Sequence, residues 1–591
     1  MPEKYTKYQE RLATLRDQMK NTDLSGFILP CTDEFQGEFL APYAQRLAWL
    51  TGFTGSAGVC VVLDKKAVVM SDGRYTIQLM QQVDAALYSC ADSTKISVGD
   101  WLLSNANAGD GIGYDVWLHT PRQVEAMTNI IEDWDMSLIP MDGNLIDMIW
   151  SDQPQIPNAE VMLFPDDIAG QSSAQKRAKI AAKIGDCGAQ SCLLSVGDSI
   201  GWLLNIRGGD IAYSPLVLSY ALLHDNGGVD WFVGRDKVPQ DVSDALGADI
   251  RIFELSDMEE RIGEMSGAVM MDRSSAPIWF EAAFMSAGLE ILDEKDPCVH
   301  PKSIKSEAEK AALINAHIED GVAMVKFLKW MDVQNANSGL SELSVEAKLE
   351  AYRRESRTYI GPSFPTIAGF AGNGAIVHYR ATDQTDRAID CEGLLLVDSG
   401  GQYHYGTTDI TRTIAIGKPT QEMRQSYTRV LKGHIAVASA RFKKGTIGKD
   451  IDALARAPLR EVGLDYAHGT GHGVGCYLCV HEGAANLSPR GEQALEAGML
   501  LSNEPGYYKE GAYGIRIENL VLVMQDPDDA DMLCFKDVTL APYDYSLIDV
   551  SMLVEHEVSW LNAYNDGLIA TLSNWINSEE IAWLRAFVTP L

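Results

Sequence analysis

Four acidic residues and one histidine in the last third of the chain have side chains of the types that bind divalent metal ions. They are Asp398, Asp409, His472, Glu504 and Glu518. Four carboxylates and one imidazole suit Mn²⁺, Co²⁺ or Zn²⁺ in a two-metal site. Their four negative charges balance two such cations, so one hydroxide between the metals leaves a nearly neutral cluster. Because a bound metal lowers the pKa of water by many units, the set indicates metal-assisted hydrolysis.

The local sequence predicts neighbouring strands for the two aspartates. Residues 393–398 form an apolar run that ends on Asp398, which is typical of a buried strand. Residues 399–406 contain the Gly and Ser residues of a hairpin connection. Asp409 then opens a run that alternates with strand period, so both carboxylates should approach one point.

Arg516 and Glu518 lie two residues apart in another alternating run and should share a face. An arginine there would hold the Glu518 carboxylate in one orientation. Any one of the four acids taken alone could be an ordinary surface residue of an acidic protein. Because unpaired buried acids are unfavourable, the whole set on apolar strands favours metal as its counter-charge.

The composition indicates a large globular protein. A chain of 591 residues exceeds the span of one hydrophobic core, so two to four domains are expected. Hydrophobic residues make up 46% and charged residues 22% of the chain, which is not typical of disorder. The net charge of −33 argues against non-specific nucleic-acid binding.

Other features favour a cytoplasmic protein. Residues 1–20 are polar and helical in pattern, unlike a signal peptide, and no run has the length of a membrane span. Ten cysteines are scattered without disulfide spacing, which fits a reducing compartment. Cys476 and Cys479 form a lone CxxC pair, which we interpret as packed, reduced thiols.

The first half of the chain has an alternating α/β pattern that occurs twice. Residues 1–155 combine strands at 26–30, 59–63 and 67–70 with helices, and residues 149–158 form a Pro-rich linker. A similar arrangement follows, with a helix at 173–184, a strand at 191–196, a short helix at 199–204 and strands near 215–222 and 230–233. This indicates a weak internal duplication.

The last region begins near residues 295–301. It opens with a helical pattern at 306–335, and another helix is expected at 420–442. The last 50 residues, with a helical tail at 578–588, are interpreted as a packed extension.

Motifs throughout nearly the whole chain resemble those of the metallopeptidase superfamily of methionine aminopeptidase, prolidase and aminopeptidase P. They include residues 32–58, 71–84, 202–223, 368–380 (AGFAGNGAIVHYR), 466–475 (YAHGTGHGVG), 480–483 (VHEG), 503–508 (NEPGYY) and 548–566. The ordered set resembles the long, three-domain Xaa-Pro aminopeptidases in particular. The resemblance implies two creatinase-like N-terminal α/β domains, residues 1–155 and 156–298, followed by a C-terminal catalytic domain of pita-bread fold, residues 299–591, with an extension at 540–591.

The resemblance also implies a role for each potential ligand. Asp398 would bind one metal, and His472 and Glu504 the other. Asp409 and Glu518 would bridge the two metals. Glu504 is also implied as the general base. Mn²⁺ is the expected metal, with Co²⁺ or Zn²⁺ as alternatives.

Three histidines fall at family positions, and the resemblance implies that they lie around the substrate. His378, His468 and His481 would stabilise the tetrahedral intermediate or carry a proton to the leaving nitrogen. Tyr403 and His404 have no such support, and we interpret them as structural.

The implied activity is release of the first amino acid from peptides with proline in the second position. The implied partners are such peptides and a second copy of the chain, with no nucleic acid and no membrane. Prolidase, which cleaves only Xaa-Pro dipeptides, shares the ligands but usually has one N-terminal domain. A non-catalytic relative remains a further alternative, although such relatives have usually lost ligands.

Overall fold

The computed structural model describes residues 2–591 and divides the chain into two compact units. One unit comprises Met1–Asp166 and Gln171–Cys298, and the other comprises Asp167–Gly170 and Val299–Leu591. Among the described residues, no helix is both long enough and apolar enough to span a membrane. None of the ten cysteines, all of which are described, forms a disulfide.

The first unit contains two six-stranded mixed sheets. In spatial order, the strands of the first sheet are Ser89–Asp92, Ala67–Ser71, Val59–Leu63, Gly26–Pro30, Gly111–Asp115 and Ser137–Met141. Those of the second sheet are Ile250–Phe253, Val229–Phe232, Tyr220–His224, Ser191–Leu194, Ala268–Met271 and Glu290–Asp293. Along both sheets, successive pairs are parallel, antiparallel, antiparallel, parallel and parallel. This shared topology confirms two α/β domains of one type.

The first unit also contains helices. The main ones are Pro2–Asn21, Arg46–Thr51, Thr76–Gln82, Val98–Asn105, Pro121–Ile131, Leu145–Ile149, Ser173–Asp186, Gly197–Leu204, Gln240–Leu246, Met258–Gly263 and Ile278–Ser286. The strand predicted from residue 215 begins only at Tyr220, because residues 215–219 form no ladder in this sheet.

The second unit combines long helices with antiparallel sheets. Its helices are Val299–Ser303, Glu307–Asp332, Glu342–Arg353, Gln421–Ala438, Gly448–Arg460, Glu555–Leu572 and Ser578–Phe587. The longest begins where the sequence predicts, because Ser306 Oγ accepts from the N–H of Glu309 at 3.1 Å and the Glu309 carboxylate accepts from the N–H of Ser306 at 2.8 Å.

Two of these sheets carry the site. The three-stranded sheet pairs Ile367–Phe370, Gly393–Ser399 and Ile410–Ile416. The six-stranded sheet has the order Arg441–Lys443, Met532–Asp537, Asn519–Gln525, Leu500–Asn503, Gly471–Gly473 and Glu482–Leu487. Smaller sheets are formed by Tyr359–Pro362, Gly401–Tyr403 and Gly406–Thr407, and by Gly506–Lys509 and Tyr513–Arg516.

The helix predicted at 420–442 is shorter than expected. It ends at Ala438, and Phe442 lies in the edge strand Arg441–Lys443. Its ring centroid lies 5.0 Å from that of Phe535 on the paired strand. Phe442, which continues the helical pattern in the sequence, therefore packs in the sheet and not in the helix.

Candidate metal centre

Asp398 and Asp409 lie on paired strands, as their sequence context predicts. Asp398 is opposite Thr411 in the antiparallel ladder, and Asp409 immediately precedes the strand Ile410–Ile416. Both side chains are buried. The ladder brings the two carboxylates to one end of the three-stranded sheet.

The connection between these strands is anchored to a helix. Tyr403 Oη donates to Asp320 Oδ1 at 2.7 Å, and Arg353 Nε donates to the same oxygen at 2.8 Å. Arg353 also donates to the carbonyl of Gly400 at 3.3 Å. Tyr403 therefore has the structural environment that the sequence predicts, while His404 is exposed.

The other three potential ligands come from three adjacent strands of the six-stranded sheet. His472 lies in Gly471–Gly473, Glu504 directly follows Leu500–Asn503, and Glu518 directly precedes Asn519–Gln525. The N–H of Glu518 donates to the carbonyl of Thr411 at 3.1 Å, which joins the two sheets at the site.

Four of the five side chains converge, and the fifth, Asp398, lies near enough to Asp409 for the charge of Asp409 to raise its pKa. His472 Nε2 lies 3.5 Å from Asp409 Oδ2 and 3.5 Å from Glu504 Oε1. Asp409, His472 and Glu518 each offer one ligand atom, and these atoms lie within 4.8 Å of one another. Thr411 Oγ1 donates to Glu518 Oε2 at 2.8 Å, which orients this carboxylate.

The pKa shifts in the cluster indicate that the site lacks positive charge. Burial raises the pKa of Asp398, although Arg516 opposes the rise, and burial raises that of Glu504 to about 7. Burial and the charges of Asp409 and Asp398 hold the pKa of Glu518 well above its ordinary value. Burial lowers the pKa of His472, but Asp409 and Glu504 together raise it to about 9.

One oxygen of the cluster also lacks a partner. Asp398 Oδ1 is buried and has no hydrogen bond among the described residues. A buried carboxylate oxygen without a donor is unfavourable unless a cation contacts it. The donor set, its excess negative charge and this oxygen therefore fit divalent cations.

Arg516 contacts a different carboxylate from the one expected. Its Nη2 lies 2.5 Å from Asp398 Oδ2, whereas its only link to Glu518 runs through Thr411, whose Oγ1 accepts from Arg516 Nε at 3.3 Å. The expected pairing with Glu518 was wrong, because the strand Tyr513–Arg516 ends at Arg516 and its alternation does not continue to residue 518.

Two of the three histidines expected around the substrate, His468 and His481, lie close to these ligands. His468 Nδ1 is 4.0 Å from Glu504 Oε2. The ring of His481 packs edge-on against that of His472, with centroids 4.3 Å apart. His378 directly follows Val377, whose carbonyl accepts from Arg516 Nη1 at 3.4 Å.

Tyr508 was missed in the sequence. Its hydroxyl accepts from Arg516 Nη1 at 2.7 Å and lies 2.8 Å from His468 Nε2. Burial raises the pKa of Tyr508 to about 12, against the opposing effect of Arg516. Tyr508 thus connects Arg516, which contacts Asp398, to His468. This tyrosine is the last residue of the motif at 503–508 (NEPGYY), and this was the signal that could have indicated it.

The site has the ligand types of a metal-dependent hydrolase. The same chain also contains two related α/β domains. Family models match the chain accordingly. The Creatinase/Prolidase N-terminal domain matches residues 11–149 and 152–309, Metallopeptidase family M24 matches residues 311–525, and the C-terminal region of peptidase M24 matches residues 531–591.

Relatives that match over the full length indicate a subgroup within this family. The probable Xaa-Pro aminopeptidase P of Fusarium vanettenii is 35% identical over 97% of this chain and 98% of its own. Xaa-Pro aminopeptidase 1 of Dictyostelium discoideum is 35% identical over 98% of this chain and 96% of its own.

Solved structures agree with this placement. The X-prolyl aminopeptidase of Caenorhabditis elegans, described as a cytosolic enzyme with a di-nuclear active site, superposes with a TM-score of 0.93 at 29% identity and covers 99% of this chain and 100% of that one. The prolidase of Pyrococcus horikoshii superposes with a TM-score of 0.51 at 25% identity, over 62% of this chain and 99% of that one. The chain belongs to metallopeptidase family M24 and, within it, to the Xaa-Pro aminopeptidases.

Proposed function

We propose that this protein is a metal-dependent exopeptidase that hydrolyses the N-terminal Xaa-Pro bond of peptides and releases the first amino acid. The convergence of four potential ligands beside the strand that carries Asp398, in a chain similar to Xaa-Pro aminopeptidases over its full length, carries this proposal. The relatives that match over nearly the full length of the chain are Xaa-Pro aminopeptidases, which favours the aminopeptidase over the dipeptidase.

The proposed cofactors are two divalent cations, with Mn²⁺ as the first candidate and Co²⁺ or Zn²⁺ as alternatives. Asp398 would contact one metal, His472 and Glu504 the other, and Asp409 and Glu518 both. When bound, such ions supply a nucleophile derived from water at neutral pH and polarise the scissile carbonyl. Arg516 would keep Asp398 in its orientation through the 2.5 Å contact.

The protein groups supply proton transfer and charge stabilisation. Glu504 is the proposed general base, since its carboxylate lies beside both His472 and His468. His378, His468 and His481 would stabilise negative charge on the attacked carbonyl or deliver a proton to the proline nitrogen. The carbonyl of Gly469, 2.7 Å from His468 Nδ1, can only accept a hydrogen bond, so it favours a proton on that nitrogen.

Proline explains the need for a dedicated site. The bond before proline is a tertiary amide without an N–H, and the ring fixes φ. Peptidases that recognise an extended backbone through that donor therefore lose a contact. A site that fixes the free α-amino group near the metals would release one residue and leave a peptide that begins with proline.

The remaining assignments are also proposals. We propose a three-domain division at 1–155, 156–298 and 299–591, a homodimer, a cytoplasmic location, and no nucleic-acid or membrane partner. The description of the Caenorhabditis elegans relative as cytosolic supports the location, and the net charge of −33 supports the absence of nucleic acid.

Replacing His468 with alanine tests the proposed histidine role. We expect kcat to fall by about 100-fold or more, the usual contribution of a general acid or base, with both metals still bound. The measurements are turnover and metal content by elemental analysis on one preparation. Loss of metal, or an unchanged rate, would show that this role is misassigned. His404→Ala, an exposed histidine in the same unit, is the matched control and should retain normal turnover.

The choice of peptide tests the function itself. We expect an Xaa-Pro-Xaa tripeptide to yield the free first amino acid and a Pro-Xaa dipeptide, identified by mass spectrometry. The same tripeptide with an acetylated amino terminus should resist cleavage, because the α-amino group is then no longer available. Cleavage of an Xaa-Pro dipeptide with no cleavage of the tripeptide would instead identify a prolidase.

A further inference from the structure

A buried arginine of the helix Gly448–Arg460 contacts the chain segment that carries His468. Arg456 Nη2 donates to the carbonyl of His468 at 2.6 Å, and Nη1 donates to the carbonyl of Tyr466 at 2.8 Å. The guanidinium also lies 4.0 Å from the centroid of the Tyr466 ring. The planar guanidinium thus donates to two peptide carbonyls at once. The ammonium group of a lysine, on its flexible side chain, cannot do this equally well.

Two aspartates complete this anchor. Asp452, one helical turn earlier, accepts from Arg456 Nε at 2.7 Å, and Asp465 accepts from Nη1 at 2.8 Å. The second oxygen of Asp452 accepts from Thr470 Oγ1 at 2.7 Å. Arg456 and Asp452 therefore hold the segment on both sides of His468, and both side chains are almost fully buried.

The anchored segment has direct contacts with the site. The carbonyl of Thr470 accepts from the N–H of Glu504 at 2.8 Å. His468 itself lies between the carbonyl of Gly469 and the hydroxyl of Tyr508, and its Nδ1 is 4.0 Å from Glu504 Oε2. A small displacement of this segment would therefore move the imidazole away from both neighbours.

We infer that Arg456, paired with Asp452, is a positioning residue that keeps His468 in its working place beside Glu504 and Tyr508. This inference rests on the proposed function, in which His468 takes part in peptide hydrolysis.

The chain contains an arginine that can serve as a control, Arg460, one turn further along the same helix. Arg460 donates to Asp465 at 3.0 Å but is half exposed, and it does not bind the carbonyls of residues 466–470.

The experiment compares Arg456→Lys with Arg460→Lys in the full-length, Mn²⁺-loaded protein. We expect Arg456→Lys to lower kcat for an Xaa-Pro-Xaa peptide by about 10- to 100-fold, because misplacement of a reacting group by about 1 Å can have that effect. KM and metal content should change little. Arg460→Lys should leave kcat, KM and metal content unchanged.

A double-mutant cycle shows whether Arg456 acts through His468. In a His468→Ala background, Arg456→Lys should no longer lower kcat, since the group that it positions is gone. An equal loss in both backgrounds, or a normal kcat in folded Arg456→Lys, would overturn the inference. A normal kcat in His468→Ala alone would instead refute the proposed role of the histidine.

If Arg456→Lys does not fold, Asp452→Asn provides a second test of the positioning role. This change removes the charge opposite Arg456 but retains an oxygen that can accept from Thr470 Oγ1. We expect the same selective loss of kcat, with circular dichroism and metal content as in the unchanged protein. Folded Asp452→Asn with a normal kcat would count against the positioning role.

Discussion

Chelation should abolish hydrolysis of an Xaa-Pro-Xaa peptide, and added Mn²⁺ should restore it. The physical reason lies in the site, where Asp409, Glu504 and Glu518 lie beside the imidazole of His472, and Asp398 Oδ1 is buried without a hydrogen-bond partner. Without cations, the remaining groups have no activated nucleophile for a stable tertiary amide. Co²⁺ is expected as a possible substitute, since it accepts the same oxygen and nitrogen ligands.

The chelated protein should remain folded. The main apolar clusters of the second unit, such as that of Phe327, Leu395 and Val397, do not depend on the metal. Turnover, elemental analysis and circular dichroism are measured on one preparation before chelation, after it and after Mn²⁺ addition. Full turnover by protein shown to be metal-free would contradict the proposed chemistry.

Glu518→Gln should lower turnover by several orders of magnitude. Glutamine has nearly the same shape as glutamate but lacks the charge proposed to serve both metals, so three carboxylates would remain for four positive charges. At least one metal should then bind more weakly. The fold should survive, because Thr411 can still donate to the side-chain oxygen at position 518. Arg516 should keep its contact with Asp398.

A second buried glutamate provides the control for this change. Glu557 is buried and paired with Lys432 at 2.7 Å, and it forms no ion pair or hydrogen bond with any of the five potential ligands. Glu557→Gln should therefore leave metal stoichiometry and turnover near normal, even if it reduces stability. Two tightly bound metals with near-normal turnover in Glu518→Gln would refute the bridging role.

Local sequence was sufficient for the features that depend on short-range patterns. The apolar run that ends on Asp398 predicted a buried strand, and Ser306 with Glu309 predicted a helix start. In both cases the determining residues are neighbours in the chain. The types of the potential ligands likewise indicated metal chemistry before any distance was known.

Features that depend on contacts between distant segments could not be predicted in this way. Arg516 contacts Asp398 and not Glu518 because two sheets meet at Thr411, which residue spacing does not encode. Phe442 continues a helical pattern, yet pairing with a strand some 90 residues later places it in a sheet. Tyr508 ends the motif at 503–508 and Arg456 lies in no motif, but the role of each follows only from hydrogen bonds across the fold.

Crystals of the Mn²⁺-loaded protein, measured for anomalous scattering at the manganese edge, test most directly whether these five side chains hold two metals. We expect two peaks about 3.5–4 Å apart, the separation usual in two-metal hydrolases. Each peak should lie about 2.0–2.3 Å from its ligand atoms, with Asp409 and Glu518 contacting both. A single peak among these residues, or two peaks bound by other side chains, would contradict this account of the site.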